Sequence, residues 1–507
     1  MKLKWLGFVV LGCACAFGVQ AEQAVRGLPA PAAPPSEFAE YIRQVQEAER
    51  IQGNEQRCLA YPDLPNNAWP AGAARARCQL LRDVSPSLDE VASILAREGG
   101  ADDLDKLLRE MLDARKREPE QGEDIYRFYS QFGSGAKVAG VVREWIRKAP
   151  DSPFALTALG EHRANQGWAA RGGAFVNKTS PAQLRQMAQL FTAAHAPLSR
   201  ALELEPRMTP ACLSLAQIGR QSSDALQSVA MVHCLEQDPL SYFLVWEWMT
   251  AAMPKWGGSM RALKEVDAYI RLRGPENPML YALLAESAGY RAVEHDTRMA
   301  ALQDYVAGAN AGPSGEMLGN AGIAYRLRNS VGDVWSAVVH LSQSLRFMPW
   351  STLYREERGR LLSTLWHVEW AADDLATASA QDPGNLQLQL VTGVAEMVAD
   401  RPLEARTYFE RALGLPEQRD QAFEYLCQLH GTRGSTYDVA KWVDCTRELA
   451  EQHPKDSGYW MWHFAALASA DHPSATAVAQ RVLDISEPDS ENHRTVKEYL
   501  EQSRGSP

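Results

Sequence analysis

In the C-terminal part of this 507-residue chain, residues of matching size recur at intervals of 34, and nothing else in the sequence restricts its fold so closely. Ala337, Ala371 and Ala405 share one column, and Leu341, Leu375 and Phe409 share a second. Gly359 and Gly393 form a third column, Ala378 and Ala412 a fourth, and Pro349 and Pro383 close two of the rows. A period of this length marks a supersecondary unit stacked on copies of itself. Within a unit, Gly and Ala suit the place where two helices of a hairpin cross closely. The bulky residue fills the gap between repeats, and Pro breaks the chain before the next helix. The remaining sequence also has helical spacing, as in Leu104, Leu107, Leu108, Met111 and Leu112, and no useful stretch of strand alternation. The fold class is therefore all-α, a solenoid of helix hairpins.

The Gly, Ala, bulky apolar, Ala and Pro columns resemble the tetratricopeptide repeat. The strict match covers residues 318 to about 417. Pro454 and Pro488, 34 apart, and Pro206 and Pro239, 33 apart, extend it in both directions with degenerate units. The rows lack the Trp and Tyr of the family's first helix, so the units are tetratricopeptide-like. The resemblance implies a groove lined by the first helices, with partner peptides as its commonest cargo.

A second resemblance lies upstream. Ile125-Tyr126-Arg127-Phe128-Tyr129, Trp145, Gly167-Trp168-Ala169-Ala170-Arg171-Gly172, Ala201 to Pro206 and Pro254-Lys255-Trp256-Gly257-Gly258-Ser259 occur in order. Over residues 99–285 this is similar to the bacterial domain of unknown function 4034. It implies a helical, often exported domain and supplies no reaction. The expected organisation is 1–21 signal peptide, 22–36 Pro/Ala linker, extended and mobile, and 37–98 helical and loop segment with a disulfide. The domain at 99–285 and tetratricopeptide-like repeats over 286–507 follow.

Lys2 and Lys4 precede an apolar run from Trp5 to Phe17, and Gly18 to Ala21 offers small residues before a cleavage point. This pattern is a secretory signal peptide, too short for a membrane-spanning helix. It predicts a periplasmic or secreted protein beginning at Glu22; the alternative is a lipoprotein anchored through Cys13. The full chain has 52 basic and 63 acidic residues, a charge of −11. Without Lys2 and Lys4 the charge becomes −13, which argues against a nucleic-acid surface.

Outside the signal six cysteines remain, in the local couples Cys58 and Cys78, Cys212 and Cys234, Cys427 and Cys445. Ser223 and Thr436 lie midway within the second and third couples, at turn-like sequences. Residues equidistant from the bend of a helix pair sit side by side, as a disulfide requires. Neighbours are therefore paired, and an oxidising compartment is expected. Cys427-Gln-Leu-His430 and His233-Cys234 carry the competing metal reading, but a structural zinc site wants four such ligands in two close pairs, and only one Cys-x-x-His occurs. No metal or cofactor is expected.

Fourteen Trp against thirteen Phe is the unusual composition figure. Pro254 to Ser259 is structurally legible: Pro254 ends a helix, the glycines permit positive φ, and Ser259 caps the next helix. Lys255 and Trp256 are left unexplained, with Trp246 and Trp248 two turns upstream. A tryptophan cluster with a cation can stack a sugar or hold an anionic peptide; the plainer reading has Trp256 plugging the hairpin and Trp246 in the core. Arg171 either presents a bidentate donor or is buried against an acid that fixes an insertion of 22 residues between Pro150 and Pro206. Asp102, Asp103, Asp105, Asp373 and Asp374 read as solvated or dipole-favouring charges near helix starts. The chain lacks His-Glu-x-x-His, Gly-x-Ser-x-Gly and phosphate-loop motifs, so no enzymatic activity is expected. Trp246, Trp248, Lys255, Trp256 and Arg171 are the candidate contacts for a protein or peptide partner in the cell envelope, with glycan as the alternative ligand.

Overall fold

The structure, a computed structural model, describes residues 29–117, 123–174, 178–294, 301–328, 330–432 and 434–505. The signal peptide with Cys13 and Ala21, and linker residues 22–28, lie outside the described residues. Among the described residues every regular element is a helix, and none is long and apolar enough to cross a membrane. The packing divides into two compact units, one of residues 34–349 and one of 350–507 with the chain before Pro34. This division falls at a different place from the sequence resemblance, whose bound is residue 285.

The larger unit begins with α1 (Ser36–Glu49), α2 (Asn54–Ala60), α3 (Ala73–Cys78), α4 (Leu88–Ala96), α5 (Gly100–Arg117), α6 (Asp124–Tyr129) and α7 (Ala136–Lys148). Hairpins follow: α8 (Pro153–Arg171) with α9 (Pro181–Leu204), α10 (Thr209–Ser222) with α11 (Asp224–Gln237), and α12 (Tyr242–Ala252) with α13 (Met260–Arg273). It closes with α14 (Leu284–Ala288), α15 (Tyr290–Glu294), α16 (Leu302–Ala311), α17 (Gly315–Arg328) and α18 (Val331–Phe347). Serines start most of the hairpin helices: the hydroxyls of Ser152, Ser180, Ser223, Ser241 and Ser259 each accept a first-turn backbone N–H. The 22 additional residues between Pro150 and Pro206 lengthen the hairpin itself. They extend α8 to 19 residues and α9 to 24.

The Ile125 to Tyr129 block is core. Phe128 is fully buried, with ring centroids 5.2 Å from Tyr129, 5.5 Å from Phe132 and 6.4 Å from Trp145. Tyr126 joins a buried polar knot instead. Its hydroxyl donates to Asp238 at 3.0 Å, and Arg115 grips the same carboxylate at 2.8 and 2.9 Å. Glu123 accepts from the Tyr242 N–H at 2.8 Å and the Ser241 hydroxyl at 3.2 Å, so the knot fixes the start of α12.

The smaller unit is the regular array. It pairs α19 (Thr352–Thr364) with α20 (Val368–Gln381), α21 (Leu386–Val398) with α22 (Pro402–Ala412), and α23 (Arg419–Gly431) with α24 (Val439–Gln452). α25 (Ser457–Ser469), α26 (Ala475–Ile485) and α27 (Glu491–Gly505) complete it. The 34-residue period has the expected physical meaning. A Cβ on Gly359 would lie 2.8 Å from Leu375 Cγ, and one on Gly393 would lie 2.6 Å from the Phe409 ring. Leu375, Phe409 and Ala405 are 0% exposed, so neither ring nor methyl can move aside. In the larger unit Gly322 meets Leu341 in the same way, at 2.7 Å, although it stands three residues out of register with Gly359. Gly393→Ala is expected to destabilise the smaller unit by about 1–3 kcal/mol through overpacking, measured by urea denaturation.

The period also appears in the backbone. Trp366 and Asp400, 34 apart, turn the hairpins with left-handed φ of 60° and 58°. Their successors donate back to Leu362 and Glu396 at 3.0 and 2.9 Å, a repeated helix-terminating motif.

Two expectations change in this unit. The end of the Pro/Ala linker is pinned rather than mobile: the Ala32 N–H donates to Leu365 O, and the Ala32 carbonyl meets His367 Nε2, both at 2.9 Å. Asp374 is not a solvated charge; it is 2% exposed and lies between Arg358 and Arg355. Asp373 is exposed as expected and pairs with Arg401.

All three cysteine couples form disulfides, with Cα separations of 5.6, 5.9 and 5.8 Å. Cys212–Cys234 joins α10 to α11 across Ser223, and Cys427–Cys445 joins α23 to α24, as the equidistance from each bend requires. Cys58–Cys78 joins α2 to α3 around the loop 61–72.

Candidate functional site

The first helices α8, α10 and α12 pack side by side, and their neighbouring residues build one polar and aromatic cluster. Its most structured element is the loop after α12. Met253 is extended, the conformation favoured before proline, and Pro254–Trp256 makes one tight turn. Gly257 adopts φ 95°, which an L side chain disfavours. Gly258 is required for space, since a Cβ there would lie 2.1 Å from the Ala252 carbonyl oxygen. Ser259 then caps α13, accepting from the Ala262 N–H at 3.1 Å. The Lys255 N–H donates to the Tyr290 hydroxyl at 2.9 Å, tying the turn to α15.

This geometry delivers the Trp256 indole to Arg220 on the last turn of α10. The guanidinium carbon lies 4.3 Å from the Trp256 ring centroid and 5.9 Å from that of Trp168 on α8. Arg220 also binds Glu247 of α12 through both carboxylate oxygens, at 2.7 and 3.3 Å. Glu247 is 4% exposed; burial pushes its carboxyl above the ordinary range, and the bond from Arg220 works against that. Trp168 in turn packs edge-on against Phe191 of α9 at 5.3 Å. Three successive first helices are thus joined through one guanidinium, and the Trp-Ala-Ala-Arg-Gly and Pro-Lys-Trp-Gly-Gly-Ser segments meet at it.

Of the five candidate contacts, the structure brings only Trp256 into this cluster. Its ring also packs on the apolar core beneath α12 and α13, so it is half-buried with one face covered by Arg220. Trp248 lies against the same core, edge-on to Tyr269 at 5.1 Å. Trp246 is 46% exposed and makes no ring contact among the described residues. Two residues apart on one helix, Trp246 and Trp248 diverge by about 200° and cannot form a shared platform. The Lys255 side chain is exposed. Arg171 bonds the neighbouring Gly172 carbonyl at 3.1 Å and pairs with no carboxylate among the described residues, so the acidic partner expected for it is not there.

Arg220 and Glu247 were not legible as a pair from sequence. The available signal was Glu247 itself, one acid inside the apolar run Tyr242 to Met249, which requires a buried partner. A second acid lies on the same helices: Glu161 of α8 accepts a hydrogen bond from the Ser214 hydroxyl of α10. Burial pushes its carboxyl up to about 7. No group of three or more His, Cys, Asp or Glu side chains suited to a metal ion occurs among the described residues.

Fold and site together define an all-α helical-hairpin repeat protein. No family model matches the chain, and no curated protein matches it. Solved helical-repeat structures are similar to it at low identity. The P58(IPK) TPR domain is 12% identical, with 79% of this chain and 99% of that one covered and a TM-score of 0.24. A human IFIT1 dimer with PPP-AAAA is 11% identical, covering 79% and 96%, with a TM-score of 0.28. The APC/C hetero-tetramer Cut9-Hcn1 is 13% identical, covering 92% and 96%, with a TM-score of 0.27.

Proposed function

We propose that this chain is an exported, non-catalytic scaffold that holds a protein partner in the cell envelope on the face carried by α8, α10 and α12. The observation that carries the reading is Trp246, a large ring 46% exposed on α12, one residue before the Glu247 that Arg220 engages. Isolated exposed apolar residues are ordinary. A large indole left open on a packed helix is the kind of anchor a protein interface uses. Three disulfides support an oxidising compartment, in keeping with the signal peptide read from residues 1–21. The cluster lies within residues 99–285, the stretch proposed to resemble the domain of unknown function 4034.

Protein is favoured over glycan because Trp246 stands alone: Trp248 packs edge-on to Tyr269 and Arg220 covers one face of Trp256, so neither extends the open ring into a stacking platform. The carboxylate of Glu247 is engaged by Arg220, which suits a structural role better than acid–base work. Trp246→Ala is expected to keep the helical signal and to weaken partner capture by about 30-fold, the effect of losing a hot-spot indole. In-cell crosslinking of wild type and variant, with mass-spectrometric identification of the captured chains, measures this; unchanged capture overturns the reading.

A further inference from the structure

The loop 61–72, closed at its base by Cys58–Cys78, borders an open-mouthed cavity of about 550 Å³ in the larger unit, built from different residues than the first-helix face. Its walls are braced from several directions. The Ala68 N–H donates to Asn310 O at 3.0 Å, and Trp69 Nε1 donates to Ala309 O at 2.8 Å. Arg346 Nε, from α18, donates to Cys58 O at 2.8 Å. A cavity kept open by a disulfide and by bonds between residues more than 200 apart in sequence is pre-formed, and its size is that of a small-ligand site.

Its lining has a definite sign. Arg346 is 4% exposed; its Nη1 meets Asp63 at 2.7 Å, and its Nη2 bonds no protein group among the described residues. Arg75 is exposed and has no hydrogen-bond or ion-pair partner among the described residues. Two guanidiniums against the single carboxylate of Asp63 leave one net positive charge, in a chain whose total is −11. The Trp69 indole supplies an aromatic wall. We propose that this cavity binds a monocarboxylate carrying an apolar or aromatic body. The carboxylate is taken by Arg75 and the unused Nη2 of Arg346, and the body lies against Trp69. Planar guanidinium donors suit a carboxylate, and a charge-assisted bond on an otherwise unpaired donor provides the specificity.

Calorimetric titration of the full oxidised chain tests this, with 3-phenylpropionate, its uncharged amide, and acetyl-Gly-Ala-Phe bearing a free C-terminus. The acid is expected to bind at least about 10-fold more tightly than the amide, the value of one charge-assisted contact. Arg75→Gln is expected to weaken the acid by about 10-fold with the helical signal intact, because its side chain has no structural partner to lose. Asp63→Asn is expected to tighten it by removing the competing carboxylate. Binding of the tripeptide alongside 3-phenylpropionate assigns the site to chain ends; binding of 3-phenylpropionate alone assigns it to free small acids, and both support the proposal. Equal affinity for acid and amide, no binding of either acid, or unchanged affinity in Arg75→Gln overturns it.

Discussion

Replacing Asp374 by Ala is expected to destabilise the smaller unit by about 3–5 kcal/mol, because it removes the carboxylate that both neutralises and hydrogen-bonds a buried guanidinium. Arg358 is 0% exposed and contacts both Asp374 oxygens at 2.7 Å, with its guanidinium carbon 4.9 Å from the Trp370 ring centroid. The pair itself is worth much less than this loss, since desolvating two ions offsets most of their attraction. The double variant Arg358→Met/Asp374→Leu, which replaces the pair with apolar groups of similar bulk, is therefore expected to recover most of the stability. Hydrogen exchange followed by mass spectrometry on α19 and α20 measures both. Protection in Asp374→Ala that matches wild type would show that the charge finds another partner.

Stability of the larger unit is expected to fall as pH rises from about 4.5 to beyond 7, and Glu161→Gln is expected to remove part of that fall. Glu161 is partly buried, with the Ser214 hydroxyl as its donor, and burial raises its carboxyl from 4.5 to about 7. Between those values the folded chain holds a proton that the unfolded chain has released, so raising the pH favours unfolding. The contribution is fully present below 4.5 and is lost once the pH passes 7. A shift of this size corresponds to about 3 kcal/mol. Glutamine keeps the acceptor for Ser214 and never ionises. The variant should match wild type at pH 4 and exceed it by about 2–3 kcal/mol at pH 8 in chemical denaturation. Glu286 titrates in the same direction, raised to about 7 by burial and the nearby Glu316, so wild type alone will not isolate the effect. Equal differences between variant and wild type at both pH values would place Glu161 in water.

Much of the repeat was legible because its cause is local. Gly359 over Leu375 and Gly393 over Phe409 are close helix crossings, and a crossing that close admits only small residues whatever surrounds it. The disulfide pairing was legible for a related reason: equidistance from a turn is equidistance along two helices. Gly322 was missed because its hairpin holds three more residues between the glycine and the bulky partner, which shifts the column without changing the contact. Asp374 was misread because its neighbours along the chain look like a solvated helix start. Its partner Arg358 lies 16 residues away across the hairpin.

The candidate site divides along the same line. Sequence alone determined that Pro254 to Ser259 is a turn followed by a capped helix, since proline, glycine and serine act through their own backbone and nearest neighbours. It also singled out Trp256 and, through the resemblance, Trp168. That these two rings meet on Arg220, that Glu247 neutralises it, and that Trp246 rather than Trp256 is the open indole were decided only by tertiary packing. The reason is physical. A turn is set by bonds spanning a few residues, whereas which face of an aromatic ring remains free depends on three helices that meet only when the chain has folded.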